Sequence, residues 1–201
     1  MQESNASVIA KRARVSVIKD NIKKGDLIPQ SEKDCDVGQW VDAQMAQKGH
    51  TVDQNGIVDL PEFGIDNKTR KFGSKAHHTV GSMTINDIIN TQSWYDTRYY
   101  KKALNQNQVQ WSDIYKEVVD VTILDMDMPE IQQPLQEAYE DLRKRVVAGD
   151  RSKNIISGCG WAVFDGYNHS NSYRFRITDK AMNKIKNMSR SRDTRKRLFE
   201  E

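Results

Sequence analysis

Residues 58–71 read Val-Asp-Leu-Pro-Glu-Phe-Gly-Ile-Asp-Asn-Lys-Thr-Arg-Lys, and their reading decides the fold expected of the whole chain. Pro61 marks a bend, and residues 57–70 around it read as a pair of strands. Phe63, Ile65 and Asn67 fall on one face. Side chains alternate along a strand, so Asp66 and Lys68 project together from the other. Asp59 precedes them. Two carboxylates and an ammonium converging on one point suit metal-assisted hydrolysis of a phosphodiester. Carboxylates hold a hard cation that prefers oxygen ligands. Such a cation offsets charge on the phosphate and lowers the pKa of a bound water. The lysine positions or deprotonates that water, or stabilises the pentavalent phosphate. The spacing alone is a weak signal, because charged residues at a strand end are ordinarily solvated.

The surrounding residues sharpen it. Asp59, Pro61, Glu62, Gly64, Ile65, Lys68 and Thr69 match in register an Asp-Phe-Pro-Glu-x-Gly-(Ile/Val)-Glu-x-Lys-Thr run. The segment thereby resembles the PD-(D/E)xK nuclease superfamily, and within it the MutH/Sau3AI-like DNA endonuclease branch. Asp66 stands where that run has Glu, with the same charge and one methylene less. Residues 37–42, VGQWVD, resemble the family's Val-Gly-x-x-Leu-Glu at a helix start, which assigns a further acidic position to Asp42. The alternative for Asp42 is a solvated acid favoured by the helix dipole. The family also carries a lysine ahead of a hydrophobic strand. Lys101 and Lys102 both fit, with the register open between them and a solvated role as the alternative. A long helix, two strands and a helix then follow in the family's order, so the likeness spans about 30–188, its specific part being 37–69.

The resemblance implies an α/β (α+β) restriction-endonuclease-like core: a central mixed β-sheet flanked by helices, with two lobes around a DNA cleft as an option. It implies Mg²⁺, with Mn²⁺ as a substitute, held by Asp59, Asp66 and the backbone carbonyl of Asn67. The partner implied is double-stranded DNA, cut sequence-specifically in a restriction, repair-nicking or homing role. The protein would act as a monomer or a DNA-induced dimer, with any repair or restriction partner protein unknown. Two readings compete. One is a non-catalytic DNA-binding module that keeps the fold, which the two Asp-for-Glu changes leave open. The other is a basic RNA-binding protein.

Composition sets bounds on these readings. At 201 residues, 37% hydrophobic and 29% charged, the chain suits one globular domain with a substantial core. No run has the roughly 18 apolar residues of a membrane span, and the first residues show no secretory h-region, so a cytoplasmic protein off the membrane is expected. Cys35 and Cys159 form no framework, consistent with reduced thiols. The four histidines show no zinc-ligand spacing with them. Net charge is +3 but uneven. Residues 11–24 and 184–197 are strongly basic and the stretch from Asp120 to Asp141 is acidic, a distribution that suits a grip on phosphates or a merely solvated tail. Candidate DNA contacts are Arg70, Lys71 and Lys75 beside the motif, Arg174 and Arg176 on one strand face, and Arg190 and Arg192 in the basic end. The aromatics Trp94, Tyr95, Tyr99 and Tyr100 near Lys101 either stack on bases or fill the core.

Along the chain, residues 1–29 read as an N-terminal helical segment, 30–188 as the nuclease-like domain and 189–201 as a basic, frayed tail. Within these, helices are expected at 7–24, ended by Gly25, at 36–48 with Val37, Val41 and Met45 inward, and at INDIIN. Another is expected at 133–148 with Leu135, Tyr139, Leu142 and Val146 inward, and a last one begins at Thr178 or Asp179. Strands are expected at 77–84, at two places within 109–126, along 155–164 as one apolar run, and at 173–177, where Tyr173, Phe175 and Ile177 alternate with the arginines. His77 and His78 read as ordinary surface or sheet histidines.

Overall fold

In the computed structural model, residues 21–29, 34–166 and 171–198 are described, the side chains of 34–36 and 190–198 excepted. In chain order the elements are α1 (Asp34–Gln47), β1 (Asp66–Lys71), β2 (His78–Thr84), α2 (Ile85–Asn90), a 3₁₀ turn (Trp94–Asp96), α3 (Arg98–Leu104), β3 (Asn105–Ser112), β4 (Glu117–Asp125), α4 (Pro129–Val147), β5 (Asn154–Ile156), β6 (Ala162–Gly166), β7 (Ser172–Ile177) and α5 (Asp179–Leu198). This is a mixed α+β protein with two sheets. The chain divides into two compact units, one holding residues up to Lys75 with Asn105–Leu124, the other Ala76–Leu104 with Asp125 onward.

The first unit is a three-stranded sheet in the order β1-β3-β4, with β1 and β3 parallel. α1 forms where the spacing of Val37, Val41 and Met45 requires. That stripe is fully buried against Leu60, Ile65, Val109 and Trp111. Residues of odd number on β1 and β3 therefore face α1, and those of even number face the other way. The helix expected over 7–24 lies mostly outside the described residues. Its end is visible: Ile22 is buried, and Gly25 takes φ 90°, a left-handed value that stops a helix.

The second unit is an antiparallel sheet in the order β2-β7-β6-β5. Alternation in β7 is as the sequence demands, with Tyr173, Phe175 and Ile177 buried and Arg174 and Arg176 on the opposite face. Its core centres on Trp94, whose ring meets those of Tyr99, Tyr139 and Phe175. The indole N–H donates to Gln132 Oε1 at 2.8 Å, and Gln132 Nε2 donates to the Met126 carbonyl at 2.7 Å. Trp94 and Tyr99 are thus core residues, while Tyr95 is exposed and Tyr100 half-buried.

Three expectations are corrected. The apolar run 155–164 is not one strand but the hairpin β5–β6. Gly160 at φ 69° and the Gly160 N–H to Ser157 carbonyl bond turn the chain between them. α4 starts at Pro129 rather than near 133, with Pro134 inside it. The bond that Pro134 fails to make belongs to Glu130, whose exposed first-turn position lets water take its place. Finally, residues 189–198 are not frayed: α5 continues to Leu198, its start capped by Thr178 Oγ1 accepting from Ala181 N–H at 3.3 Å.

Candidate active site

The site is built on a tight reversal. Leu60 N–H donates to the Ile65 carbonyl at 2.9 Å, and Ile65 N–H returns the bond at 3.2 Å. Residues opposed on an antiparallel pair share a face. Leu60 and Ile65 both point into the core beneath α1, and Asp66, next along β1, turns to the other side. Pro61–Gly64 closes the reversal, with Gly64 at φ 61°, where a side chain is strained. Thr51 Oγ1 donates to Glu62 Oε1 at 2.6 Å and ties the turn to the preceding loop.

Asp66 is fully buried and ion-paired with Lys68 Nζ, its neighbour two residues on along the same face. Asn67, between them, faces α1. Its backbone N–H donates to Asp59 Oδ2 at 2.7 Å, and its side-chain Nδ2 donates to Asp42 Oδ1 at 2.9 Å. Its Oδ1 accepts from Asn107 Nδ2 at 3.3 Å. One residue therefore holds two carboxylates, each by a separate N–H. Within a strand, a residue's N–H and C=O point to the same edge. The Asn67 carbonyl consequently lies on the edge of β1 that Asp59 occupies, away from β3.

The Asp42 carboxyl titrates above its ordinary range. Burial is the main cause; the Asn67 donor and the Lys68 charge pull it back, while repulsion from Asp59 adds to it. Asp42 and Asp59 thus repel each other in the absence of a cation.

β3 supplies residues that motif reading passed over. Its register sets Gln106 beside Asp66 and Gln108 beside Lys68, on the same face, and both amides are fully buried. Asn107, also buried, is the partner of Asn67. The signal lay in the run Asn-Gln-Asn-Gln at 105–108: amides on a central strand must find buried partners.

The other expected residues are dispersed. Arg70 folds back to donate to the Ser74 carbonyl at 2.7 Å, Lys71 pairs with Asp113, and Lys75 is exposed. Lys101 and Lys102 end α3 in the second unit. Lys101 is exposed, and the stem of Lys102 lies where Gly81 leaves room for it. Arg174 and Arg176 share Asp165 on the adjoining strand, at 3.9 and 2.9 Å. The side chains of Arg190 and Arg192 lie outside the described residues. His78 is a buried strand residue and His77 is half-buried, as read. Asp42, Asp59, Asp66, Asn67 and Lys68 come together in the first unit; Lys101, Lys102, Arg174 and Arg176 belong to the second.

Among the described residues, no three His, Cys, Asp or Glu side chains gather as a metal-binding group. No helix among them is long and apolar enough to cross a membrane. No family model and no curated protein matches the chain.

Proposed function

We propose that the protein is a Mg²⁺-dependent DNA endonuclease of the PD-(D/E)xK kind with a restriction-endonuclease-like core, Mn²⁺ serving as substitute. One observation carries this reading. The Asn67 N–H holds the Asp59 carboxylate at the edge of β1, with Lys68 paired to Asp66 and the Asn67 carbonyl on the same edge as Asp59.

The donor set fits a small hard cation. Mg²⁺ binds through one or two carboxylates and keeps several waters, so a cage of three acidic side chains is not required. Asp59, Asp66 and the Asn67 carbonyl would hold it, and the repulsion felt by Asp42 is what a cation relieves. When bound, it supplies charge for the phosphate and an acidified water. The chain's own residues do the rest. Asp66 fixes the Lys68 ammonium, which donates toward a phosphate oxygen or the attacking water. Asn67 holds Asp59 and Asp42 at fixed positions. The buried Gln106 and Gln108 stiffen the face from which Lys68 projects.

The test is incubation of supercoiled plasmid with Mg²⁺ or with EDTA, followed by sequencing of the ends. Cleavage in Mg²⁺ alone is expected. Asp59→Asn and Asp66→Asn should abolish it, and Lys68→Ala should lower it by about 10²- to 10⁴-fold. A Lys68→Ala loss of tenfold or less would reduce that residue to a nearby charge. Lys68→Arg should also be poor, since Arg does not release a proton near neutral pH. A second reading draws on the burial of Asp66: a fully buried carboxylate clamped by one lysine also suits a purely structural pair. A DNA-binding module that keeps the fold would then bind duplex without cutting it.

A further inference from the structure

We infer that the tip joining β3 to β4 is a wedge that enters the minor groove of duplex DNA, with the lysines around it seated on flanking phosphates. The inference rests on the duplex-binding half of the function proposed above. Four-residue turns favour Gly, Asn, Asp and Ser. Here the turn Asp113–Lys116 places Ile114 and Tyr115 at its apex, 79% and 72% exposed. Tyr115 N–H donates to Ser112 Oγ at 3.1 Å and Lys116 takes φ 51°, so the apex has a defined conformation.

Two further apolar side chains flank it. Phe72, 60% exposed, is joined to β3 through its N–H and the Trp111 carbonyl at 2.7 Å. Leu27, 76% exposed, bridges Glu117 on the other side. Four exposed apolar residues thus gather at one end of one sheet, and an exposed apolar patch of this kind marks an interaction site. Its charge names the occupant. Arg70, Lys71, Lys75 and Lys116 stand at or beside this end against the acids Asp26, Asp113 and Glu117, and with Lys71 already paired to Asp113 a small excess of positive charge remains that suits a phosphate polymer. Duplex DNA offers both chemistries: aliphatic and aromatic side chains enter its minor groove between base steps while cations take the phosphates. The tip also belongs to the sheet that carries Asp66 and Lys68. From Gln108, the register partner of Lys68, to Ser112 the strand advances about 13 Å at roughly 3.3 Å per residue. A duplex lying along β3 at the site would meet the tip about four base pairs away.

The experiment uses the full chain in EDTA with a fluorescent duplex of mixed sequence, read by anisotropy at several salt concentrations. A second duplex series carries 2-aminopurine at successive steps to report unstacking. Wild type should bind and brighten the probe at one step. Ile114→Ser with Tyr115→Ser alters only exposed residues. It should weaken binding by about tenfold or more, leave the salt slope unchanged and abolish the brightening. Lys71→Gln with Lys75→Gln should instead flatten the salt slope by about 0.9 for each phosphate no longer neutralised. Serine variants that bind and brighten as wild type does would overturn the wedge. So would a wild type that binds no duplex, or one that binds phosphatidylserine vesicles through the tip in place of DNA. Binding with brightening but no cleavage in Mg²⁺ would sink the nuclease reading and leave the wedge standing.

Discussion

Asn67 faces α1 from β1; two of its hydrogen bonds place Asp59 and Asp42, and a third joins it to Asn107. The shared face of Asp66 and Lys68 was legible in the sequence because strand alternation is a rule of period two; Asp59 was read only as the acid that precedes them. The position of Asn67 on the face of Ile65 was legible for the same reason. Its partners were not, because an amide gives no sign of which distant oxygen it will meet; Asp42 lies far from it along the chain and Asn107 is on another strand. Asp42 also makes a prediction about pH. Its folded carboxyl holds a proton more tightly than the unfolded one, whose ordinary value is 3.8. Stability contributed by that proton is present below 3.8 and lost as pH rises through the raised folded value. Asp42→Asn should therefore melt at a higher temperature than wild type at pH 7, with the gain vanishing at pH 3.5. Added Mg²⁺ should narrow the difference at pH 7. Equal melting temperatures for the two proteins at pH 7 without metal would show that Asp42 carries no such penalty.

The reversal Leu60–Ile65 is the element that brings Asp59 back beside β1. Ala at Gly64, at φ 61°, would cost roughly 1–2 kcal/mol. Gly64→Ala should lower the urea midpoint with an unchanged m-value, and Gly64→Asn should lower it less, since Asn tolerates this conformation. A Gly64→Ala protein as stable as wild type would mean that the turn relaxes to another form. Long periodic elements were legible: α1, α4 and β7 carry stripes whose burial follows from spacing alone. The hairpin β5–β6 was not, because Gly158, Cys159 and Gly160 interrupt an otherwise continuous apolar run, and composition there outweighed the turn signal. The start of α4 was also missed, because a proline inside a helix reads as its first residue. The continuation of α5 to Leu198 was masked by a sequence with almost no apolar residues to show a stripe.

At the scale of the whole molecule, the mixed α+β class was legible; two lobes were an option implied by the resemblance, but the place where the chain divides was not legible. No linker rich in Gly, Pro or Ser marks it, because the chain crosses between units at ordinary loop and strand ends. The core of the second unit gives a prediction at alkaline pH. Burial pushes the Tyr139 phenol up to about 12 from its ordinary 10.0, and raises that of Tyr99 as well. Each donates to a backbone carbonyl, of Thr91 at 2.8 Å and of Tyr173 at 2.7 Å. A raised phenol stabilises the folded state below pH 10 and ceases to do so as pH climbs through the folded value. Urea stability should fall between pH 10 and 12, in step with tyrosinate absorbance. Tyr139→Phe should lose about 1 kcal/mol at pH 8 through the missing bond and show a shallower alkaline decline. An identical decline in that variant would place the sensitivity elsewhere.

The parallel pairing of β1 with β3 also sets a timetable for synthesis. Asp66 leaves the ribosome well before Gln106, its register partner, and at about 5–20 residues per second the interval is roughly two to eight seconds. For that time β1 is an orphan strand with both edges open to neighbouring chains. Its sequence, Asp-Asn-Lys-Thr-Arg-Lys, is suited to the wait. Every side chain is charged or polar, the composition that blunts edge-to-edge pairing in nascent polypeptides. The residues proposed for chemistry in the finished protein would thus also keep its precursor from sticking to its neighbours on a polysome.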